Sequence, residues 1–350
     1  MKKIRTITFH SVLNYGAIIQ TYALVKYLRN MGHDARLINY QPFYFINQVY
    51  RPSLGFLKTF QKIKKIIKFN NFRKQFIPQT RLYTRFNSLR NIHSDYFVCG
   101  SDQIWNKHIT GNKIDKAFFL DFAATAAKRI AYAASSGHFK LDIEYNDLLR
   151  NFDSLGVREE SLQQNIKEIN GELVVHTVLD PCLLIEDYDD VLSTKKVPAQ
   201  DYILSYCVGS GDTKNTFDHI LEEVKVHSSL PIFHVGSHKS KYADVNYLDL
   251  SPSDWIGLFK NANFIITSSF HGMAISIKFQ KNFITIPHSI KGLNSRQMTL
   301  LKSLDLESRQ LNNKNDVERI YFESVNYINV NRKLLEIIRE SKEFLDNSLK

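Results

Sequence analysis

The chain has 350 residues, of which 43% are hydrophobic and 23% are charged, and its formal net charge is +11. This length suits two domains, and the apolar fraction is enough for a substantial soluble core. Three scattered cysteines exclude a disulfide framework and a cysteine-based zinc cluster. The sequence contains no run of about 18 apolar residues and no signal-peptide pattern at its start, so we expect no transmembrane helix and a cytoplasmic protein.

The first half of the chain alternates short apolar stretches with a segment of helical periodicity. Each apolar stretch ends in a polar loop, and Gly32 ends the first helix, as glycine often does. This alternation predicts strands of a parallel sheet with helices on its faces. The predicted strands are residues 4–8, 35–40, 97–99, 129–133 and 154–157, and the predicted helix is residues 16–31.

A second series of predicted strands and helices follows residues 187–200. These residues form a polar stretch with a proline, which we interpret as a linker. We therefore predict an α/β fold of two Rossmann-like domains that face each other across a cleft, residues 1–190 and 200–325. A C-terminal helix within residues 326–350 is expected to return to the N-terminal domain. The second series comprises strands at 202–208, 230–235, 262–266 and 282–286 and helices at 273–280 and 331–349.

Positive charge is concentrated in residues 58–90, which contain ten lysines and arginines and no acidic residue. The first part has apolar residues at helical spacing and predicts an amphipathic basic helix in an insertion near residues 55–90. We favour a solvated helix that packs on the protein through its apolar stripe. The alternative is contact with an anionic membrane surface. We expect no nucleic-acid partner, since no nucleic-acid-binding module accompanies the charge.

The stretch Thr-Ser-Ser-Phe-His-Gly at residues 267–272 lies between a predicted strand and a predicted helix. Open α/β sheets bind ligands at this position, and the first N–H groups of a helix form an anion site. His271 adds a group that titrates near neutral pH. The alternative interpretation is that Ser269 only caps the helix and that His271 is an ordinary loop histidine.

Four further polar clusters follow strands or precede helices of the N-terminal half. An aromatic ring beside Asp and Gln on a loop is typical of sugar-binding sites, because the ring stacks and the polar groups bind hydroxyls. Together the clusters favour a polyhydroxylated or phosphorylated ligand. They are Asn-Tyr-Gly-Ala at residues 14–17, Gly-Ser-Asp-Gln-Ile-Trp-Asn at 100–106, Ala-Ser-Ser-Gly-His at 134–138 and Val-Arg-Glu-Glu-Ser at 157–161.

Taken in order, these motifs resemble the polysaccharide pyruvyl transferase family, and the resemblance extends from about residue 5 to about residue 310. Members have a glycosyltransferase-B-like fold. They transfer the pyruvyl unit of phosphoenolpyruvate to a hexose of a cell-surface glycan, usually as a cyclic ketal. The resemblance therefore implies a transferase of capsule or exopolysaccharide synthesis that uses phosphoenolpyruvate as co-substrate and needs no cofactor.

The resemblance also implies roles at a donor site. His271 matches the family's catalytic histidine, and Arg158 is placed on the anionic groups of phosphoenolpyruvate. Relatives carry an arginine two positions before the histidine, where this chain has Ser269, and Arg296 is the expected replacement. The first amides of the following helix, including that of Met273, are expected to face the phosphate. The donor-binding residues are thus Arg158, Ser269, Phe270, Gly272, Arg296 and His138, with His271 catalytic.

The acceptor is expected on the N-terminal domain. The predicted acceptor-binding residues are Asn14, Tyr15, Asp102, Gln103 and Trp105, and the alternative for the tryptophan is that it anchors the core. The acceptor is expected to be a glycan or a lipid-diphosphate-linked sugar. In the second case the basic segment would rest on the anionic inner leaflet of the membrane.

Two other classes of function stay open from the sequence. A glycosyltransferase that uses a nucleotide sugar would share the fold, because fold does not determine function. A glycan-binding protein without catalytic activity would share the polar clusters. We expect no metal, since no set of His, Asp and Glu residues has ligand spacing.

Overall fold

The computed structural model describes residues 1–52, 55–209, 212–288 and 294–350. The chain divides into two compact units, each with its own sheet. None of the described helices is long and apolar enough to cross a bilayer. The N-terminal unit contains Met1–Ser53, Phe69–Glu186 and Glu336–Lys350, and the C-terminal unit contains Leu54–Lys68 and Asp187–Leu335.

The strands of the N-terminal unit are β1 (Lys3–Ile7), β2 (Asp34–Tyr40), β3 (Gln79–Tyr83), β4 (Tyr96–Cys99), β5 (Lys128–Ala134), β6 (Ser154–Val157) and β7 (Val175–Thr177). They form one sheet in the order β3-β2-β1-β4-β5-β6-β7, and every neighbouring pair is parallel. All four residues of β4 are buried, as expected for a central strand with both faces covered. The carboxyl ends of these strands therefore share one edge.

The first half of the chain contains the helices α1 (Tyr15–Asn30), α2 (Phe43–Tyr50), α3 (Phe56–Phe76), α4 (Phe86–Leu89), α5 (Asn146–Arg150) and α6 (Glu160–Ile169). Helix α1 begins where Asn14 Oδ1 accepts a hydrogen bond from the Ala17 amide at 3.1 Å. It ends before Gly32, whose φ of +84° is unfavourable for other residues. Both ends of α1 are therefore set by residues that lie next to the helix in the sequence.

The strands of the C-terminal unit are β8 (Ile203–Tyr206), β9 (Ile232–Val235), β10 (Val245–Tyr247), β11 (Phe264–Thr267) and β12 (Asn282–Thr285). They form a second parallel sheet in the order β10-β9-β8-β11-β12. Its buried strands and the surrounding helices enclose a core of Phe217, Ile220 and Ile266, among others. The helices of this half are α7 (Asp212–His227), α8 (Pro252–Asn261), α9 (Phe270–Lys278), α10 (Ser295–Ser303), α11 (Val317–Phe322) and α12 (Tyr327–Ser348).

The C-terminal helix α12 returns to the N-terminal unit, as predicted. Ser341 Oγ accepts a hydrogen bond from the Leu179 amide at 3.0 Å. The ring of Phe344 lies 6.2 Å from that of Tyr132, between centroids. It also covers Gly156, where a Cβ atom would be only 2.8 Å from the Phe344 ring. Glycine at this position therefore allows the helix to contact β6.

Three features differ from the sequence prediction. Strand β3 lies inside the basic segment and pairs with β2, so the helical part of that segment ends at Phe76. The apolar stripe of α3 is exposed rather than packed on the protein. The stretch read as a linker contains two fully buried side chains, Tyr188 and Val191, because it packs on the C-terminal unit instead of running through solvent.

Two buried histidines make stability depend on pH. Burial, with a contribution from Arg73, lowers the pKa of His10 to about 4. Burial, with a contribution from His238, lowers the pKa of His234 to about 4. In the unfolded chain both pKa values are near 6.5. Because the unfolded state then binds protons that the native state does not bind, stability falls as the pH decreases from about 6.5 toward 4.

We expect each of these histidines to reduce the free energy of unfolding by about 2 kcal/mol between pH 7 and pH 5. Urea unfolding at both pH values measures this change. In His10→Gln and His234→Gln the change should be smaller by that amount, because glutamine does not titrate. An identical pH dependence in the wild type and both variants would contradict the assignment.

Candidate functional site

A buried polar network joins two loops and the first helix at the carboxyl edge of the N-terminal sheet. Gln20 of α1 donates to Thr8 Oγ1 at 3.1 Å and accepts from the Ser101 amide at 3.1 Å. Thr8 Oγ1 in turn donates to the Ser101 carbonyl oxygen at 2.6 Å. The loops after β1 and β4 are therefore fixed to each other and to the first helix.

Arg158 lies at the end of β6 and is 3% exposed. Its Nη1 donates to Asp180 Oδ2 at 2.7 Å and to Ser101 Oγ at 3.3 Å. Asp102 Oδ1 lies 3.7 Å from Nη2, and Glu159 Oε1 lies 3.7 Å from Nε. One guanidinium thus holds three carboxyl groups that come from three different loops.

The neighbouring carboxyl groups have the largest combined effect on the pKa of Arg158. Burial acts to lower the pKa of Arg158, but Asp180, Glu159 and Asp102 outweigh it and raise that pKa above its usual value. A further anion bound to this guanidinium would be repelled by the three carboxyl groups that already surround it. The contacts therefore give Arg158 the role of organising acidic side chains, and its predicted contact with phosphoenolpyruvate stays a prediction.

The loop after β4 has an unusual backbone. Gly100 has a φ of +112°, and a Cβ atom there would lie 2.0 Å from the Tyr132 carbonyl oxygen, so glycine is required. Asp102 also has a positive φ of 78°, which is uncommon for a residue other than glycine. Its carboxylate accepts from the Gln103 amide at 2.9 Å, and 13% of its side chain is exposed. Asp102 is the partly accessible member of the acidic group.

The other predicted acceptor residues differ in accessibility. Asn14 is half-buried and caps α1, and Gln103 is half-buried and accepts from the Asn106 side chain at 3.1 Å. Tyr15 is buried against Phe69, with 5.0 Å between ring centroids.

Trp105 is 1% exposed, and its Nε1 donates to the Phe118 carbonyl oxygen at 3.0 Å. The indole also stacks on Phe119, with 5.2 Å between ring centroids. This burial favours the interpretation that Trp105 anchors the core. His138 is exposed in the same unit and stacks on His108, with 6.1 Å between ring centroids.

In the C-terminal unit, helix α9 begins at Phe270, so His271 lies in its first turn and not in the preceding loop. Ser269 caps the helix by accepting from the Gly272 amide at 3.3 Å. The Met273 amide, expected to face a phosphate, donates instead to the Ser269 carbonyl oxygen at 2.9 Å. Gly272 has a packing role as well, because a Cβ atom there would lie 2.3 Å from Thr267 Oγ1.

His271 and Arg296 both lie beside the ring of Phe270. His271 is 6% exposed, and its ring lies 5.2 Å from that of Phe270, between centroids. The guanidinium of Arg296 lies over the Phe270 ring, 5.9 Å from its centroid. The structure thus brings together the predicted catalytic histidine and the cation that was expected to replace an arginine at Ser269.

The sequence interpretation missed residues that hold this arrangement. Gln297 is buried and donates to Thr285 Oγ1 at 3.1 Å and to the Ser268 carbonyl oxygen at 3.3 Å. These bonds tie the start of α10 to the ends of β11 and β12. Asn294 accepts from the His288 amide at 2.7 Å and donates to its carbonyl oxygen at 2.9 Å. The only sequence signal was the Asn-Ser-Arg-Gln stretch at residues 294–297, where α10 begins.

A second polar group in the same unit was also missed. His234 is fully buried on β9, and its Nδ1 is 2.7 Å from Ser205 Oγ. The ring of His238 lies 5.5 Å from that of His234, between centroids. Within the part of the chain that the structure describes, no group of three or more His, Cys, Asp and Glu side chains is arranged to hold a metal ion.

A model of the polysaccharide pyruvyl transferase family matches residues 14–290. The chain belongs to the polysaccharide pyruvyl transferase family. This match confirms the resemblance stated from the motifs and shows a transferase family. No curated protein matches the sequence of this family member.

Solved structures with a similar fold are glycosyltransferases and epimerases. The UDP-GlcNAc 2-epimerase from Neisseria meningitidis, bound to UDP-GlcNAc, has a TM-score of 0.54 and 9% identity over 100% of this chain and 99% of that one. The S. aureus MnaA–UDP structure has a TM-score of 0.52 and 12% identity over 95% and 90%. An alpha-glucosyltransferase in complex with UDP has a TM-score of 0.51 and 10% identity over 100% of both chains. At these identities the likeness shows the fold alone, which is glycosyltransferase-B-like as predicted.

Arg158 provides a test of the acidic group in this transferase. We expect Arg158→Gln to lower the free energy of unfolding by about 3–5 kcal/mol, because it leaves buried carboxyl groups without their cation. The control is Arg36→Gln, which removes an exposed arginine 3.1 Å from Asp34. It should cost less than about 1 kcal/mol. Urea unfolding of both variants measures the difference, and equal losses would contradict the central role of Arg158.

Proposed function

We propose that the protein transfers the pyruvyl unit of phosphoenolpyruvate to a hexose of a cell-surface polysaccharide or of its lipid-linked precursor. The products would be a cyclic ketal and phosphate. The observation that carries this proposal is the cluster of His271, Phe270 and Arg296 at the end of β11, in a chain of the pyruvyl transferase family. A proton-transfer group and a cation at a helix start suit a donor that is an anion.

The donor brings a carboxylate and a phosphate, and the C-terminal unit offers groups of opposite charge. Arg296 is suited to bidentate contact with either anion, because its guanidinium is planar and always protonated. The start of α9 adds the partial positive charge of a helix N-terminus. Ser269 and Gly272 shape this helix start through the cap, and Phe270 positions Arg296 through its ring.

The reaction proceeds in two bond-forming steps. In the first, a sugar hydroxyl oxygen bonds to the central carbon of phosphoenolpyruvate, and the methylene carbon gains a proton and becomes a methyl group. In the second, another hydroxyl oxygen bonds to the same carbon while the bond to phosphate breaks. The proton of the first hydroxyl balances the one that the methylene carbon gains, and the proton of the second hydroxyl leaves with the phosphate. We assign this proton transfer to His271, because an imidazole serves as acid and base near neutral pH.

The acceptor would bind through polar groups of the N-terminal unit. Asp102 is partly accessible, and its carboxylate accepts hydrogen bonds from sugar hydroxyls in this proposal. Asn14 and Gln103, both half-buried, offer amide groups for the same purpose. Arg158 Nη2 lies 3.7 Å from Asp102 Oδ1, and this ion pair would link the acidic group to acceptor binding. The stacking predicted for Tyr15 and Trp105 is not part of this proposal, since both rings are buried.

The test is incubation with phosphoenolpyruvate and lipid-linked hexoses, including galactose, glucose and mannosamine derivatives. We expect a gain of one pyruvyl unit by mass spectrometry and one phosphate released per product. Release of a nucleotide from a nucleotide sugar, without use of phosphoenolpyruvate, would instead identify a glycosyltransferase. Binding of the glycans without any turnover would identify a glycan-binding protein.

Variants of the donor cluster separate anion binding by Arg296 from proton transfer by His271. We expect Arg296→Gln to raise the KM for phosphoenolpyruvate about ten- to hundredfold, because a charged hydrogen bond contributes about 1.5–3 kcal/mol. Arg296→Lys should recover part of this loss, and Arg339→Gln, which removes an exposed arginine of α12, should change nothing. His271→Gln should lower kcat by at least about a hundredfold. An unchanged kcat would remove His271 from the mechanism.

A further inference from the structure

Helix α3 exposes a continuous apolar stripe. The exposed fractions are 84% for Phe56, 75% for Leu57, 48% for Phe60, 48% for Ile63 and 52% for Ile67. Apart from Leu57, these residues recur every three or four positions, so they lie on one face of the helix. Large exposed apolar patches mark surfaces that bind a partner or a membrane. The helix therefore presents a surface that the rest of the described chain leaves uncovered.

The opposite side of α3 is held in place. Lys68 Nζ donates to the Asp249 carbonyl oxygen at 2.6 Å and lies 3.4 Å from its carboxylate. Lys65 is half-buried, and burial lowers its pKa to about 8. Phe69 and Phe72, in the last part of the helix, are buried. These contacts fix the rotation of the helix about its axis and keep the apolar stripe turned outward.

The stripe is bordered by positive charge. Lys64 is exposed, and its ammonium lies 4.4 Å from the centroid of the Phe60 ring. Lys74 is also exposed and follows Ile67 on the same face of the helix. Helix α3 contains no acidic residue. A second copy of the chain on this face would bring lysines against lysines, and an RNA or DNA groove would not accept a row of large apolar side chains. Aromatic and aliphatic residues flanked by lysines suit the boundary between acyl chains and anionic headgroups.

We propose that α3 docks on an anionic phospholipid bilayer. The apolar stripe would enter the region below the headgroups, and Lys64 and Lys74 would contact lipid phosphates. This inference uses neither the donor cluster nor the acidic group, so it does not depend on the proposed reaction. If both proposals hold, the enzyme reaches a lipid-linked acceptor at the surface where that acceptor is anchored.

The experiment is flotation of the full chain with vesicles of phosphatidylcholine alone or with added phosphatidylglycerol. We expect the wild type to float with the anionic vesicles and to be released by high salt. The triple variant Phe56→Ser/Phe60→Ser/Ile63→Ser should lose at least about tenfold in partitioning, because apolar area contributes about 25 cal/mol per Å². The double variant Lys64→Gln/Lys74→Gln should lose about thirtyfold, at about 1 kcal/mol per cation.

The matched control is Ile328→Ser/Leu335→Ser on α12, where the exposed fractions are 84% and 65%. It removes exposed apolar side chains outside α3 and should float like the wild type. Circular dichroism and thermal unfolding establish that every variant is folded. Equal partitioning into neutral and anionic vesicles, or wild-type flotation of the triple variant, would overturn the proposal. A dimer that the triple variant converts to a monomer would also overturn it, by showing that the stripe binds a second copy.

Discussion

The N-terminal unit depends on one buried cation placed among acidic side chains. Arg158 is the group that allows three carboxyl groups, from the loops after β4 and β6 and from Asp180, to lie together at a largely buried edge of the sheet. Buried charge is costly unless it is paired and hydrogen-bonded, so the positions of these loops follow from the guanidinium geometry. Ser101 extends the same constraint to β1 and α1, because Gln20 and Thr8 bind its backbone. The polar edge is thus one cooperative network rather than a set of independent loops.

In the C-terminal unit, neutral hydrogen-bonding groups hold the start of α9. Ser269 stands where relatives are expected to carry an arginine, and it uses its hydroxyl to cap α9. Its side chain also hydrogen-bonds Tyr206, whose pKa burial raises. Arg296 of α10 places its guanidinium over the Phe270 ring at the same helix start. Gln297 holds the start of α10 through its bonds to Ser268 and Thr285.

The sequence predicted the α/β alternation well because hydrophobic periodicity and a helix-ending glycine are local signals, as at Gly32. It placed most strands within about two residues, which is the usual uncertainty at element ends. It could not show that Arg158 pairs with Asp180, since pairing across loops depends on how the strands are ordered. The same limit applies to Trp105, whose burial is decided by Phe118 and Phe119 in a later turn. For α3 the periodicity located the apolar stripe, but only the packing shows which way it faces.

The return of α12 makes the N-terminal unit discontinuous along the chain, because Glu336–Lys350 belong to it. Ser341 and Phe344 supply partners for Leu179 and cover Gly156. During synthesis from the N-terminus, the first sheet is translated long before these residues leave the ribosome. Its final packing is therefore delayed until the residues of the C-terminal unit, which precede Glu336 in the chain, have been made.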